Sequence, residues 1–442
     1  MTDLTRTDLS VRRERAVLVS VLMPGMDVDL ANPLGELNAL AETAGALVVD
    51  GLVQRRNSYC SATCIGKGKL QELRERCEAG EATVVVFDND LTPAQIRNIE
   101  EQLERKVLDR SELILDIFAT HARTLESRLQ VELAQLQYTA PRLRGMWTHL
   151  ERIAGVGGAT GVGAVGGIGT RGPGERQIEI DRRIVGDRIA HLKREIAKIG
   201  RRKEREVRGR ENEFTVSLVG YTNSGKSTLM NALTDAGRTV GDALFVTLDT
   251  RTARWNLAEG QTALLSDTVG FVRDLPHRLV ASFRATLEEA VHADLLLHVV
   301  DASASSAPEQ IAAVEGVLAE VGCRDQPTIT LFNKMDVVED ISVVHVLENR
   351  IPRSLRISAR TGAGLGELVH GVLAEMTKGT VDVTVRVPLA EGKVLATIDQ
   401  LADVRARRYD GQYTELDLTI DRRRLAQLSG RHASVEVVSG GA

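Results

Sequence analysis

The apolar positions change period along the chain, and the changes divide it. Within residues 1–110, short apolar runs at 16–22, 46–49 and 83–87 read as strands. Segments of helical spacing at 34–43, 69–78 and 93–103 separate them. Strands alternating with helices predict a small parallel α/β sheet, because each parallel pair needs a crossover. Within 111–210 the period lengthens. Leu129, Leu133, Leu136, Ala140 and Leu143 are spaced by fours and threes, and Val185, Ile189, Leu192, Ile196 and Ile199 repeat that spacing. Each set is a heptad seam, and two seams predict an antiparallel helical hairpin. Limbs of about thirty residues would make an arm on the order of 45 Å long. Pro141 lies inside the first seam and is expected to kink or end it.

The two limbs are joined by a glycine-dense stretch at 155–174. Such a backbone holds neither a helix nor a core, so a tip is expected. A plain flexible linker is the simpler reading. The tip, however, is apolar and basic, flanked by Arg142, Arg144, Arg152, Arg171 and Arg176, and the returning limb carries Arg201, Arg202, Lys203, Arg205 and Arg208. Arginines that meet phosphates beside a slim backbone suit insertion into RNA; a solvated charged helix is the alternative.

Residues 211–376 return to strand and helix alternation, with strands at 214–219, 252–257, 263–266, 295–300, 328–332 and 355–357. The second and third flank a tight Glu259-Gly260 turn and read as an antiparallel hairpin; the others should be parallel. Directly after the first strand stand Gly220, Tyr221, Thr222, Asn223, Ser224, Gly225, Lys226 and Ser227, with Thr228 opening a helix. This is G-x-x-x-x-G-K-S in its strand–loop–helix setting, a phosphate-binding loop. The glycines let successive N–H groups converge on a phosphate, Lys226 supplies a compact charge, and Ser227 offers a hydroxyl to Mg²⁺. Asp267, Thr268, Val269 and Gly270 then have the D-x-x-G form: the carboxylate reaches Mg²⁺ through water, and the glycine N–H can report a γ-phosphate. Between the two motifs lie Phe245, Val246, Thr247, Leu248 and Asp249. Thr247, with Thr250 as runner-up, is the candidate second Mg²⁺ ligand. Lys226, Thr247 and Gly270 are the candidate catalytic set.

Asn333, Lys334, Met335 and Asp336 follow the apolar strand at 328–332. The Asp336 carboxylate can accept both hydrogens that guanine offers at N1 and N2, which adenine lacks, so the base should be guanine. Ser358, Ala359 and Arg360 would support it with backbone. GTP and GDP are the expected substrate and product.

Residues 377–442 mix a strand-like 381–387, a helical 391–402 and a second strand-like 415–420, a small α+β unit without a chemical motif. A net charge of -5 makes the chain no polycation, so any RNA contact must be local. Aromatics supply only 3% of residues, so the cores must be aliphatic. Four cysteines, Cys60, Cys64, Cys77 and Cys323, lack histidines at zinc spacing and read as reduced thiols. No apolar run reaches membrane length and no leader is seen, so a cytoplasmic monomer is expected. Gly66-Lys67-Gly68-Lys69, at the start of a helix, reads as a turn, with phosphate or RNA backbone as the sharper option.

The phosphate loop, the segment 245–249, Asp267-Thr-Val-Gly-Phe271 and Gly169-Thr-Arg-Gly-Pro-Gly-Glu175 together resemble the HflX family, as do 65–70 and 123–136. The resemblance runs from about residue 15 to 376. It implies a ribosome-associated GTPase that binds the large subunit and splits or rescues stalled or idle ribosomes, with its arm and glycine loop aimed at ribosomal RNA. The loop here is longer and more apolar than the family's usual glycine run. Asn223 stands where related GTPases hold K⁺ against the phosphates. Phe271 replaces the glutamine with which many small GTPases position water, so slow intrinsic hydrolysis is expected. Competing readings are a GTP-dependent switch acting on a protein partner and an ATP-dependent RNA remodeller working through the N-terminal domain.

Overall fold

The computed structural model describes residues 14–26, 29, 31–142, 173–208, 213–234, 245, 251–258, 261–273, 287, 289–323, 326–421, 425, 428–430, 432 and 434–440. Most of the glycine-rich stretch, Arg144, Arg152 and Arg171, and positions 246–250 with Thr247 and Thr250, lie outside them.

The first sheet is parallel, in the order β2-β1-β3-β4, from β1 (Arg15–Leu22), β2 (Leu47–Arg55), β3 (Val84–Phe87) and β4 (Lys106–Asp109). Its central strands β1 and β3 are apolar on both faces because helices cover both. Ala16 and Leu18 of β1 face α1 (Gly35–Thr43) and α4 (Arg110–His121), among Leu37, Leu40, Leu113 and Phe118. Val17, Val19 and Val21 face α2 (Lys67–Ala79) and α3 (Pro93–Leu103). Gly66-Lys67-Gly68-Lys69 is a turn into α2, with Gly66 at the N-cap and Lys69 paired to Glu72.

The arm is α5 (Leu125–Thr139) against α6 (Pro173–Arg208). Leu133, Leu136, Val185 and Leu192 form its seam, and Arg188 grips Glu132 at 2.7 and 2.9 Å. Among the described residues the first limb is a helix of 15 residues that passes into a 3₁₀ turn at Ala140–Arg142, where Pro141 falls, and the returning limb has 36. Leu143 and the rest of the expected first limb lie outside the described residues. Arg142 is not part of a basic outer face. It folds back onto the buried Asp109 at 3.0 Å, donates to Leu91 O and lies over the Tyr138 ring, while Tyr138 donates to the same carboxylate. Burial pushes the Asp109 carboxyl above the usual range even beside that guanidinium. The root of the arm is thereby fastened to the end of β4.

The second sheet runs β10-β9-β8-β5-β7-β6. It comprises β5 (Phe214–Gly220), β6 (Arg251–Asn256), β7 (Thr262–Asp267), β8 (Leu295–Asp301), β9 (Thr328–Asn333) and β10 (Ser354–Arg356), of which β6 alone is antiparallel. Among the described residues, helices α7 (Lys226–Leu233), α8 (Ala307–Val321), α9 (Ile341–Arg350) and α10 (Leu365–Thr377) belong to this domain. The last unit is an antiparallel sheet in the order β12-β13-β11-β14, from β11 (Thr380–Pro388), β12 (Asp403–Asp410), β13 (Tyr413–Asp421) and β14 (Glu436–Gly440), with α11 (Gly392–Leu401) packed on one face. No helix among the described residues is long and apolar enough to cross a membrane.

One apolar cluster runs without a break from the first sheet into the second domain, joining Leu113, Phe118 and Val131 to Val219, Phe245, Phe271 and Leu318. The arm, in contrast, has a seam of only a few buried residues. Leu192→Ala should therefore cost about 2–5 kcal/mol locally. Amide exchange should speed up along α5 and α6 and stay unchanged in the second sheet.

Candidate nucleotide site

The loop after β5 is shaped by close approach. Gly220 has φ +152°, and a Cβ there would fall 2.2 Å from Val299 O. Gly225 has φ +95°, and its Cβ would fall 2.3 Å from Asn333 Nδ2. Only glycine meets both demands. The loop then enters α7, whose first residue is Lys226. Its buried Nζ donates to Gly220 O at 2.9 Å and Tyr221 O at 2.8 Å. Burial draws its pKa down to about 8, against the pull of the Asp267 charge. His298, on the neighbouring β8, is also buried, and burial together with the Lys226 charge lowers it to about 4, so it is neutral.

The D-x-x-G segment lies directly on this loop. Ser227 Oγ donates to Asp267 Oδ2 at 3.1 Å. A hydroxyl and a carboxylate side by side are the hard oxygen donors that Mg²⁺ selects, so the residues fit that ion. Thr268 Oγ1 is tied down to Leu218 O, and Val269 is buried. A Cβ at Gly270 would stand 2.9 Å from Thr222 Cα and 3.2 Å from Lys226 Nζ. Phe271 N–H donates to Gly220 O and Thr222 N–H donates to Phe271 O, a two-residue parallel bridge between loop and switch. The Phe271 ring is buried in the apolar cluster shared with the N-terminal domain.

The base-reading end joins the same loop. Asn333 Nδ2 donates to Ser224 O at 2.8 Å, and its Oδ1 accepts from Ala359 N–H at 2.9 Å. Lys334 has φ +65° and pairs with Asp301 at 2.6 Å, while Met335 N–H reaches Ile357 O. Ser358 Oγ donates to Asp336 at 2.6 Å, and that bond holds the carboxyl below its ordinary range. Asn333 therefore links phosphate loop, guanine loop and the Ser358–Ala359 turn.

Sequence reasoning missed what stands behind the loop. Tyr221, the second loop residue, donates from its hydroxyl to Glu36 on α1 at 2.5 Å and accepts from the backbone N–H of Arg273 at 2.6 Å. Arg110, at the start of α4, donates to Glu36 and to Asp88 at 2.7 Å each and to Arg273 O at 3.3 Å. Arg273 Nη2 completes the ring at 3.4 Å from Glu36 and 3.5 Å from Asp88. Burial of Arg110 works against its charge, but the two carboxylates outweigh it and raise its pKa above the ordinary value. Burial, then Glu36, pushes the Tyr221 hydroxyl up, so it stays neutral. The cluster is thus two cations against two anions. Removing one member would leave an uncompensated buried charge, at a cost of about 3–5 kcal/mol. Five residues far apart in sequence make no motif, and nothing in the sequence could have grouped them.

The near end of the first switch is anchored in the same place. Phe245 N–H donates to Thr222 Oγ1 at 2.9 Å, and its ring meets Phe118 of α4 edge to face, centroids 4.6 Å apart. Asn223, φ +59°, is exposed on the rim of a cavity of about 930 Å³ between the domains, walled by Glu36, Asp88, Tyr221 and Arg273.

Three protein-family models match the chain in succession: "GTP-binding GTPase N-terminal" over residues 31–119, "GTP-binding GTPase Middle Region" over 121–210 and "50S ribosome-binding GTPase" over 215–334. A GTPase HflX of Lacrimispora saccharolytica is 44% identical over 371 residues, 82% of this chain and 83% of that one. GTPase HflX of Escherichia coli K12 is 42% identical over 391 residues, covering 88% and 89%. The Magnetococcus marinus GTPase HflX is 41% identical over 423 residues, covering 94% and 95%. Identity at that level, spread over most of each relative's length and over all three matched regions, means that this chain belongs to the HflX family of GTPases and hydrolyses GTP.

Proposed function

We propose that this GTPase works on the large ribosomal subunit, and that contact with the subunit frees and orders a switch that the N-terminal domain otherwise holds. The observation that carries the reading is the buried ring of Tyr221, Glu36, Arg110, Asp88 and Arg273, which fastens the phosphate loop and the D-x-x-G segment to the N-terminal domain. The ribosome enters through the family model described as "50S ribosome-binding GTPase". The arm is the natural lever, since α5 begins a few residues after α4, which carries Arg110. Splitting or rescue of stalled or idle ribosomes is the form of the activity that we favour, with the protein acting as a monomer.

In this reading the loop N–H groups from Tyr221 to Thr228 surround the β-phosphate, and Lys226 exchanges its two loop carbonyls for phosphate oxygens. Ser227 and Thr247 would hold Mg²⁺, with the Asp267 carboxylate in support. The ion supplies charge that offsets what builds up on the transferring phosphoryl group. Gly270 turns its N–H to the γ-phosphate, the segment Phe245 to Asp249 contributes to the nucleotide site, and Asp336 reads guanine with Asn333, Lys334, Met335, Ser358, Ala359 and Arg360 in support. Asn223 would hold K⁺, supplying the charge that an arginine finger supplies in other GTPases, and Phe271 carries no group that can position water.

Lys226 gives a proton-linked test. Its pKa is depressed to about 8 in the free protein, and a phosphate partner raises it again. Binding of GDP just above pH 8 should therefore take up a proton, and at neutral pH it should take up little. Titration calorimetry in buffers of differing ionisation enthalpy reads this directly. Asp336→Asn should exchange preference for GTP against xanthosine triphosphate; undiminished GTP binding would remove Asp336 from the base site. Hydrolysis in KCl should rise strongly when purified large subunits are added, and deletion of residues 155–174 should abolish the rise. Absence of stimulation with intact GTP binding would overturn the ribosomal reading, and equal rates in NaCl would remove K⁺.

A further inference from the structure

The turn between β2 and α2 holds two cysteines that the nucleotide chemistry does not use. Cys60 and Cys64 stand opposite each other in an isolated antiparallel bridge. Cys60 N–H donates to Cys64 O, and Cys64 N–H donates to Cys60 O, both at 2.9 Å. In a regular ladder residues that exchange both bonds lie about 5.5 Å apart at Cα, within the roughly 4.4–6.8 Å that a disulfide spans. Cys64 stands at φ +63°, so the turn and not a strand presents its thiol. The turn is held from outside as well: Gln95 Nε2 donates to Cys60 O and Asn98 Nδ2 to Ala62 O, each at 2.9 Å, and Thr63 Oγ1 donates to Ile65 O at 2.8 Å.

The two thiols differ in the way an attacking and a resolving cysteine must. Cys60 is half-buried and therefore reachable, and the Thr63 hydroxyl points at its Sγ from 3.6 Å. That bond, then the N–H groups of Ala62 and Thr63 and the nearby Arg56, lower its pKa and favour the thiolate. Cys64 is buried, and burial followed by the proximity of Cys60 pushes it up to about 11. Burial raises both Cys77 and Cys323, and among the described residues no cysteine faces either across an isolated bridge.

We propose that Cys60 and Cys64 form a reversible dithiol–disulfide pair oxidised by a peroxide. The Cys60 thiolate attacks one oxygen of hydrogen peroxide; the S–O bond forms, the O–O bond breaks, and hydroxide leaves to become water with the proton that Cys60 released. Cys64 sulfur then attacks Cys60 sulfur. The S–S bond forms, the S–O bond breaks, and the hydroxyl leaves as water with the Cys64 proton. The two thiols lose two electrons, and the peroxide is reduced to two waters. The bond would staple the turn that leads into Gly66-Lys67-Gly68-Lys69.

The test treats the full-length protein with hydrogen peroxide, alkylates the remaining thiols and maps the peptides by mass. The peptide carrying both cysteines should lose two hydrogens, take up no alkylating reagent, and recover both sites after dithiothreitol. It should react about tenfold or more faster than Cys77 or Cys323. In Cys64→Ser, Cys60 should be caught as a sulfenic acid by dimedone; in Cys60→Ser, Cys64 should stay a thiol. The proposal is overturned if Cys60 passes to sulfinic acid while Cys64 is still alkylated, if Cys77 or Cys323 oxidises as fast, or if the pair does not react.

Discussion

The structure turns on a buried guanidinium. Arg110 sits where β4 becomes α4, with its side chain only 3% exposed, and it must be neutralised where it lies. Glu36 and Asp88 do this, and in doing so each is left with an oxygen turned toward Arg273. Tyr221 then fills the remaining side, sharing Glu36 with Arg110 and taking the Arg273 N–H. The N-terminal domain thus neutralises Arg110 with its own carboxylates, and the phosphate loop and the segment after Gly270 attach to them through Tyr221 and Arg273. Apolar contact flanks these ion pairs on one side, Phe118 on Phe245 and Phe271 within the common cluster, while Glu36, Asp88, Tyr221 and Arg273 wall the cavity between the domains on the other.

A second tie runs the other way, through Asn333. Its amide reaches the phosphate loop with one atom and the Ser358–Ala359 turn with the other. The guanine end, the phosphate loop and the N-terminal domain therefore form one chain of contacts: Asp336 to Ser358, Ala359 to Asn333, Asn333 to Ser224, and Tyr221 to Glu36.

The phosphate loop, D-x-x-G and N-K-x-D were legible because ligand chemistry sets their spacing, and the structure brings Lys226, Ser227, Asp267 and Gly270 together. The two-faced strands β1 and β3 were legible as continuous apolar runs. Three strands were not. Lys106–Asp109 has only two apolar residues, and Asp403–Asp410 and Glu436–Gly440 lie at sheet edges with mostly exposed, partly charged side chains, so none shows a periodic apolar signal. The interruption expected at Pro141 appears as a 3₁₀ turn at Ala140–Arg142, and Leu143, the last position of that seam, lies outside the described residues. Arg142 read as a surface cation of the arm, yet a buried partner, Asp109, captures it. The ring around Arg110 was invisible for a related reason: Glu36, Asp88, Arg110, Tyr221 and Arg273 are single polar residues in separate segments, and only tertiary structure makes them a site.

If that ring governs the switch, its two sides must open together. Amide exchange of residues 268–273 and of α1, compared between the GDP-bound and GTP-analogue-bound protein, measures this most directly. The account predicts that protection falls on both sides in the triphosphate state, with Arg273 N–H among the first to exchange. A switch segment that changes its exchange while α1 does not would show that the N-terminal domain holds no part of it.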